Sequence, residues 1–385
     1  MKELILLFIS FGVIIYLVAS KKNFAVAMIA GSLILALSIP EKIPNILFET
    51  IKDFRTISLI IIVLMIKMLA VILQENGLLQ EAIHALQKRL SFKSMLIAIP
   101  SLLGLLPVPG GALLSAPLLE EHGKEVISKE KMFFINLWYR HIWFIIFPLA
   151  TALVLLADLS GKNIFSLILI QIPIFLLTFF IGYVFIRNIE NKEIENENGN
   201  LKGLIPILIP VTIATPFSFL FSTYLSFLIS LPFGIIAAIL LGKKIDIKII
   251  KKSISISLAV AIFGIFLLKN VIFSANIPNI ISTYLTEFPA ILTISCLSFI
   301  IGILTAHNLA AVGILFPILA PFLNNINLVS LLYISSFMGY LISPMHPCVV
   351  LTYEYFKPRF IDVYKILLFP TISVIIISTI YFSLL

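Results

Sequence analysis

The stretch Gly104-Leu105-Leu106-Pro107-Val108-Pro109-Gly110-Gly111 interrupts a long apolar run, and the reading of the whole chain turns on it. Proline and glycine inside a hydrophobic segment free backbone groups that lipid cannot satisfy, so such breaks persist where they line a cavity. A second break, Gly302-Ile303-Leu304-Thr305-Ala306-His307-Asn308, begins 198 residues after the first in a chain of 385. Paired interruptions at matching places in two halves are expected to face one shared cavity.

Composition sets the class. The chain is 60% hydrophobic and only 12% charged, with a mean hydropathy of +1.13. A soluble protein of this size could not hide that much apolar surface, so a polytopic membrane protein is expected. The net charge of +8 is read by its position along the chain and not as a nucleic-acid signal. Cys296 and Cys348 lie in apolar stretches without CxxC spacing and are expected to be packing residues. The first apolar run, Leu4 to Ala19, ends on Lys21-Lys22 and reads as a helix with a basic flank, not a cleavable signal peptide.

A hydrocarbon core takes about 20 apolar residues per helix. That ruler predicts helices near 3–20, 23–39, 56–74, 132–157 and 163–186, then 203–222, 224–242, 254–273, 329–354 and 361–384. The segments 94–119 and 288–322 carry the breaks and read as re-entrant hairpins, with full crossing as the alternative. The expected fold is an all-α polytopic membrane protein. It has two inverted repeats, 1–186 and 203–385, each of five transmembrane helices plus one re-entrant hairpin, joined by a hydrophilic linker at 187–202. The halves echo each other: Lys52 pairs with Lys252, Gly104 with Gly302, Pro117 with Pro317, Pro148 with Pro347 and Pro173 with Pro370, at offsets between 197 and 200. An amphipathic segment precedes each hairpin. In the first, Leu79, Ile83, Leu86 and Leu90 form one face, with Gln80, Glu81, Gln87 and Lys88 opposite; Pro278 to Phe288 is the weaker counterpart. Both are expected to lie in the membrane interface.

Positive charge then orients the chain. With the Lys243–Lys252 loop cytoplasmic, the segments falling on that side hold 19 of the 27 Lys and Arg residues. The chain is expected in the cell inner (cytoplasmic) membrane, multi-pass, with both termini extracytoplasmic and the two halves inverted.

Several residues could carry chemistry. Pro107, Val108, Pro109, Gly110 and Gly111 offer a tight turn with little side-chain bulk, and Ser115 lies one turn on. Thr305, His307 and Asn308 supply donors and acceptors at the second break. The helix after each hairpin also looks interrupted: one carries Asn136, Arg140, His141 and Pro148, the other Ser343-Pro344-Met345-His346-Pro347. Arg140 lies inside a span, where charge is costly unless paired or hydrated. It reads as an anion anchor, or as a side chain that snorkels or pairs with Glu120 or Glu121. His141, His307 and His346 could each take a proton. Helix N-termini attract anions, and exposed carbonyls coordinate cations.

No Asp or Glu falls deep in any expected span, which favours an anionic solute over a cation. HExxH, P-loop and GxSxG patterns are missing from the sequence, so neither an enzyme, a metal site nor a bound cofactor is expected, beyond Na+ or H+ as a coupling ion.

The stretch Gly104–Pro117, with Gly339-Tyr340-Leu341-Ile342-Ser343-Pro344-Met345-His346-Pro347 and Tyr353-Glu354-Tyr355-Phe356, resembles an uncharacterised prokaryotic membrane family, domain of unknown function 401, within the ion transporter superfamily. Nearly the whole chain is covered. The resemblance implies kinship with gluconate, citrate and dicarboxylate carriers, an elevator-like transport domain, a homodimer and a substrate site at the tips Pro107–Gly111 and Thr305–Asn308. Neither tip carries the Ser-Asn-Thr pattern of dicarboxylate carriers. The combined expectation is a secondary transporter of a small anionic solute in the lipid bilayer. A cation/proton antiporter and a non-transporting membrane protein are the alternatives.

Overall fold

The computed structural model describes residues 2–20, 22–105, 111–191, 199–242, 247–285 and 288–385. Among the described residues every regular element is helical. The first half contains α1 (Lys2–Ala19), α2 (Phe24–Ala36), α3 (Ile43–Lys52), α4 (Phe54–Glu75), α5 (Leu78–Gln87), α6 (Phe92–Gly104), α7 (Gly111–Gly123), α8 (Lys129–His141), α9 (Thr151–Ser160) and α10 (Ile164–Ile186). The second contains α11 (Ile205–Leu220), α12 (Thr223–Leu241), α13 (Ile247–Ser253), α14 (Ile256–Ser274), α15 (Ile277–Leu285), α16 (Ala290–Thr305), α17 (Asn308–Leu319), α18 (Ile326–Ile342), α19 (Pro347–Phe356) and α20 (Phe360–Leu384).

Eight of the described helical segments are long and apolar enough to cross a membrane. The outward faces confirm the solvent. Phe8, Tyr16, Leu169, Phe180, Phe219, Leu240, Phe369 and Ile376 are all exposed, on α1, α10, α11, α12 and α20. Water would not tolerate so continuous an apolar surface, so the protein is a multi-pass membrane protein. At the centre, by contrast, all of α17 and the run Met132–His141 of α8 are buried.

The four helices beside the two breaks are short. α6 and α7 have 13 residues each, α16 has 16 and α17 has 12. At 1.5 Å per residue, a helix of that length reaches only about 20 Å, short of the roughly 30 Å hydrocarbon core. The expected span 132–157 is likewise divided, α8 stopping at His141 and α9 starting at Thr151; the expected span 329–354 is divided at 343–346.

Packing between helices exchanges the halves. α2 packs on α14, and α4 on α12; α7 packs on α19, and α17 on α9; α6 packs on α8, and α16 on α18. Gly104 and Gly302 show why the last pair is close. A Cβ at Gly104 would overlap the Arg140 carbonyl, and one at Gly302 the Ser336 carbonyl. Only glycine lets these backbones approach so nearly.

Polar contacts join helix ends far apart in the chain. Lys252 pairs with Glu75 at 2.5 Å, Lys93 donates to the Arg187 carbonyl at 2.7 Å, Ser257 donates to Asn23 at 2.7 Å and Tyr355 donates to Glu120 at 2.8 Å. Lys42 donates to the Ser274 carbonyl at 3.3 Å, Asn163 to the Ser218 carbonyl at 2.5 Å and Asn270 to Thr50 at 2.8 Å. Carbonyls freed by the breaks are met by hydroxyls. Tyr333 donates to Phe144 at 2.7 Å, Ser343 to Ile303 at 2.6 Å and Tyr364 to Ile342 at 3.0 Å. Each such group left bare would cost about 1–3 kcal/mol.

Two details depart from the sequence reading. α3 was not expected; it presents Ile46 and Thr50 inward and leaves Phe48 and Ile51 exposed. The polar face of the amphipathic helix α5 is partly covered by the rest of the protein. Gln87, assigned to its polar face, is buried against His122 at 3.0 Å. Residues 199–204 cover the opposite side, where the Asn200 N–H donates to the Glu81 carbonyl at 3.1 Å.

Gly302→Leu should separate α16 from α18 and destabilise the fold by about 1–3 kcal/mol, as over-packing does. Gly12→Leu is the control, because a Cβ there meets nothing within 4 Å. Melting of the two purified variants in detergent, followed by size exclusion, checks this; equal melting temperatures would refute the close packing.

Candidate anion-binding cavity

Arg140 stands in the last turn of α8, where the helix carbonyl end favours a cation. Its residue is only 4% exposed. It therefore does not snorkel, and Glu120, its expected partner, instead accepts from Tyr355. Among the described residues no carboxylate pairs with Arg140. Among the described residues its Nη1 has no hydrogen-bond partner. The guanidinium lies against Gly111, where any Cβ would overlap it, and against the Cys348 sulfur.

This guanidinium faces a cavity of about 210 Å³ that Arg140 lines together with His141, His307, Asn308, Tyr340 and Cys348. Leu105, at the end of α6, also reaches it, so both breaks border the same space. Three helices begin here. Ala150, Thr151 and Ala152 open α9; His307, Asn308 and Leu309 open α17; Cys348 lies in the first turn of α19. Neither Ala150 nor His346 caps its helix with a side chain. Each such terminus carries about half a positive charge and unpaired N–H groups. Among the described residues, no Asp or Glu lines the cavity. Arg140 and three helix N-termini thus surround a space with no negative charge on its wall.

The neutral polar groups are fixed by their neighbours. Tyr333 receives a hydrogen bond from the Asn308 side chain and donates its own to the Phe144 carbonyl. That chain orients the amide and leaves Asn308 Oδ1 buried without a partner. His307 caps α17, its Nδ1 accepting from the Ala310 N–H at 3.3 Å, and stacks on Phe24 with ring centroids 4.4 Å apart. His141 Nδ1 lies 2.6 Å from the Leu137 carbonyl, so that nitrogen carries the proton and Nε2 is free. The His346 ring is 4.8 Å from that of His141 and 4.1 Å from that of Tyr340.

The remaining expected site residues lie outside the cavity wall. Ser115 donates to Asn136 at 2.5 Å, and Asn136 donates to the Ala112 carbonyl and to Thr352, each at 3.1 Å. This buried network ties α7, α8 and α19 together beside Arg140. Thr305 bonds back to the Ile301 carbonyl at 2.8 Å, and Ser343 closes off α16. Pro107, Val108, Pro109 and Gly110 lie outside the described residues.

Sequence reasoning missed Tyr340, Thr151 and Cys348. Cys348 was assigned to packing, yet it sits one residue past the Pro347 interruption, which was the available signal. Its sulfur and the ring nitrogens of His141 and His346 lie within 4.8 Å of one another. Such a trio matches a soft metal ion in donor type. The adjacent guanidinium and helix N-termini oppose any cation there, and no carboxylate offsets them, so the arrangement suits an anion better.

Residues 2–385 match the family described as protein of unknown function (DUF401), and the chain belongs to that family. No curated protein matches it.

Asn136→Leu should strand Thr352 and leave the Ser115 hydroxyl only its long contacts to the Gly111 and Ala112 carbonyls, at 3.3 and 3.4 Å, costing about 1–3 kcal/mol. Thr352→Val removes one contact and should cost less. Thermal unfolding of both variants checks the order; a Thr352 variant that melts lower than the Asn136 variant would contradict the network.

Proposed function

We propose that this member of the DUF401 family is a secondary transporter of a small organic anion, working by alternating access. The observation that carries the reading is the buried, unpaired Arg140 guanidinium in a cavity faced by three helix N-termini and no carboxylate. A buried charge without a partner is costly and is typically retained for function. Here the missing partner is the solute. Asn308 Oδ1 can accept from a hydroxyl of the solute.

Three further observations support an inverted-repeat architecture of the ion transporter kind. Principal pairings between the halves, α2 with α14 and α4 with α12, and α7 with α19 and α17 with α9, exchange when the halves are swapped. The helices flanking each break are too short to cross alone. Polar loop contacts join segments that the charge rule assigns to the same side. On this reading α6–α7 and α16–α17 are re-entrant hairpins entering from opposite faces. The coupling ion is Na+ or H+, the functional unit a homodimer, and movement of the broken helices elevator-like. An antiporter exchanging a cation for protons is disfavoured by the acid-free cavity wall.

Purified protein should be stabilised against heat by at least one of acetate, lactate, gluconate and succinate, supplied as sodium or choline salts. Arg140→Gln should weaken that binding by about 2–5 kcal/mol, the usual effect of removing one partner of a buried charge pair. Stabilisation by cations alone, or none lost in the variant, would reject the anion reading. Single cysteines at 120–131 and 321–328 should label from opposite sides of the membrane; labelling from one side would reject the inverted repeats.

A further inference from the structure

We propose that the anion binds together with one proton, taken up by His346 and shared with His141, so that transport is driven by protons. This rests on the anion reading of the cavity. His346 is 1% exposed, and neither ring nitrogen has a hydrogen-bond partner of good geometry, though the Leu341 carbonyl faces the ring. A buried imidazole usually finds at least one partner. An imidazolium donates from both nitrogens and needs two acceptors, of which the Leu341 carbonyl can be one.

The neighbours supply a second acceptor and no acid. His141 donates its Nδ1 proton to Leu137, which leaves Nε2 as a lone pair. The ligating atoms of His141 and His346 lie within 4.8 Å of each other, with the rings at 78°. His346 lies behind the cavity wall, its ring against the wall residues His141 and Tyr340; a protonated His346 that closes on His141 can donate to Nε2 and set its charge one side chain from the solute. The titratable and charged groups around His346 are Arg140 and His141 from α8, His307 at the start of α17, Tyr340 from α18 and Cys348 from α19. None is acidic at neutral pH.

That inventory makes the proton conditional. With the cavity empty, a charge on the buried His346 would be cut off from water and would lie near Arg140 with no acid to offset it. An anion reverses the local field, and protonation then becomes favourable. By linkage the proton strengthens anion binding as much as the anion strengthens proton binding. A sodium ion lacks this logic, because the cavity wall presents a guanidinium and no carboxylate.

The test titrates the full-length protein in detergent by calorimetry between pH 6.5 and 8.5, using whichever of the four acids stabilises it most. Two buffers of different ionisation enthalpy count the protons. One proton should be taken up per anion, and affinity should rise about tenfold for each unit fall in pH where uptake is complete. In His346→Gln both the uptake and the slope should vanish. His141→Gln, which removes the acceptor of the shared proton, should reduce the uptake if His346→Gln fails to fold. Anion binding by the native chain with no proton uptake overturns this inference and leaves the anion reading standing. Binding by none of the four acids overturns both.

Discussion

A guanidinium held in the middle of a membrane protein without a carboxylate is the constraint around which the structure is arranged. Removing such a group from water costs several kcal/mol unless its surroundings replace the lost hydration. Part of the replacement is visible. Arg140 occupies the carbonyl end of α8, whose dipole favours a cation, and touches the Cys348 sulfur. Its other side is open to the cavity, and one terminal nitrogen is bare. The helix N-termini that face it add to the positive charge when they might have relieved it. A fold that gathers like charge in low dielectric is preorganised for something of the opposite sign.

The interruptions follow from the same need. Continuous helices would bury their own termini in the interface and bring no N–H groups to the bilayer interior. Stopping α8 at His141, α16 at Thr305 and α18 at Ile342 places new helix starts around one cavity. The freed carbonyls are then met by Tyr333, Ser343 and Tyr364, hydroxyls that reach in from neighbouring helices. Close approach is possible because Gly104 and Gly302 have no side chains.

Much of this was legible before the structure. Proline and glycine in apolar runs marked where helices stop, and the breaks after Arg140 and at Ser343–His346 fell where expected. Arg140 was conspicuous because charge inside a span is rare. The sequence could not tell an anchor from a snorkelling side chain, since that depends on whether Glu120 is within reach; the structure gives Glu120 to Tyr355. Ser115, Asn136 and Thr305 share residue types with true wall residues, so composition alone could not sort them from the buried network behind the cavity. Cys348 and Tyr340 carry no charge and no motif. Their role arises from which helices meet, and pairwise packing across 200 positions of chain is not encoded in local pattern. The helix α3 and the covering of α5 were missed for the same reason.

Anomalous diffraction from crystals soaked separately in bromide and in rubidium salts tests the account most directly, because each ion reports the sign of the field in the cavity. A bromide peak between Arg140 and the first turns of α17 and α19, with no rubidium there, is the expected result. Rubidium in that cavity with bromide absent would contradict it.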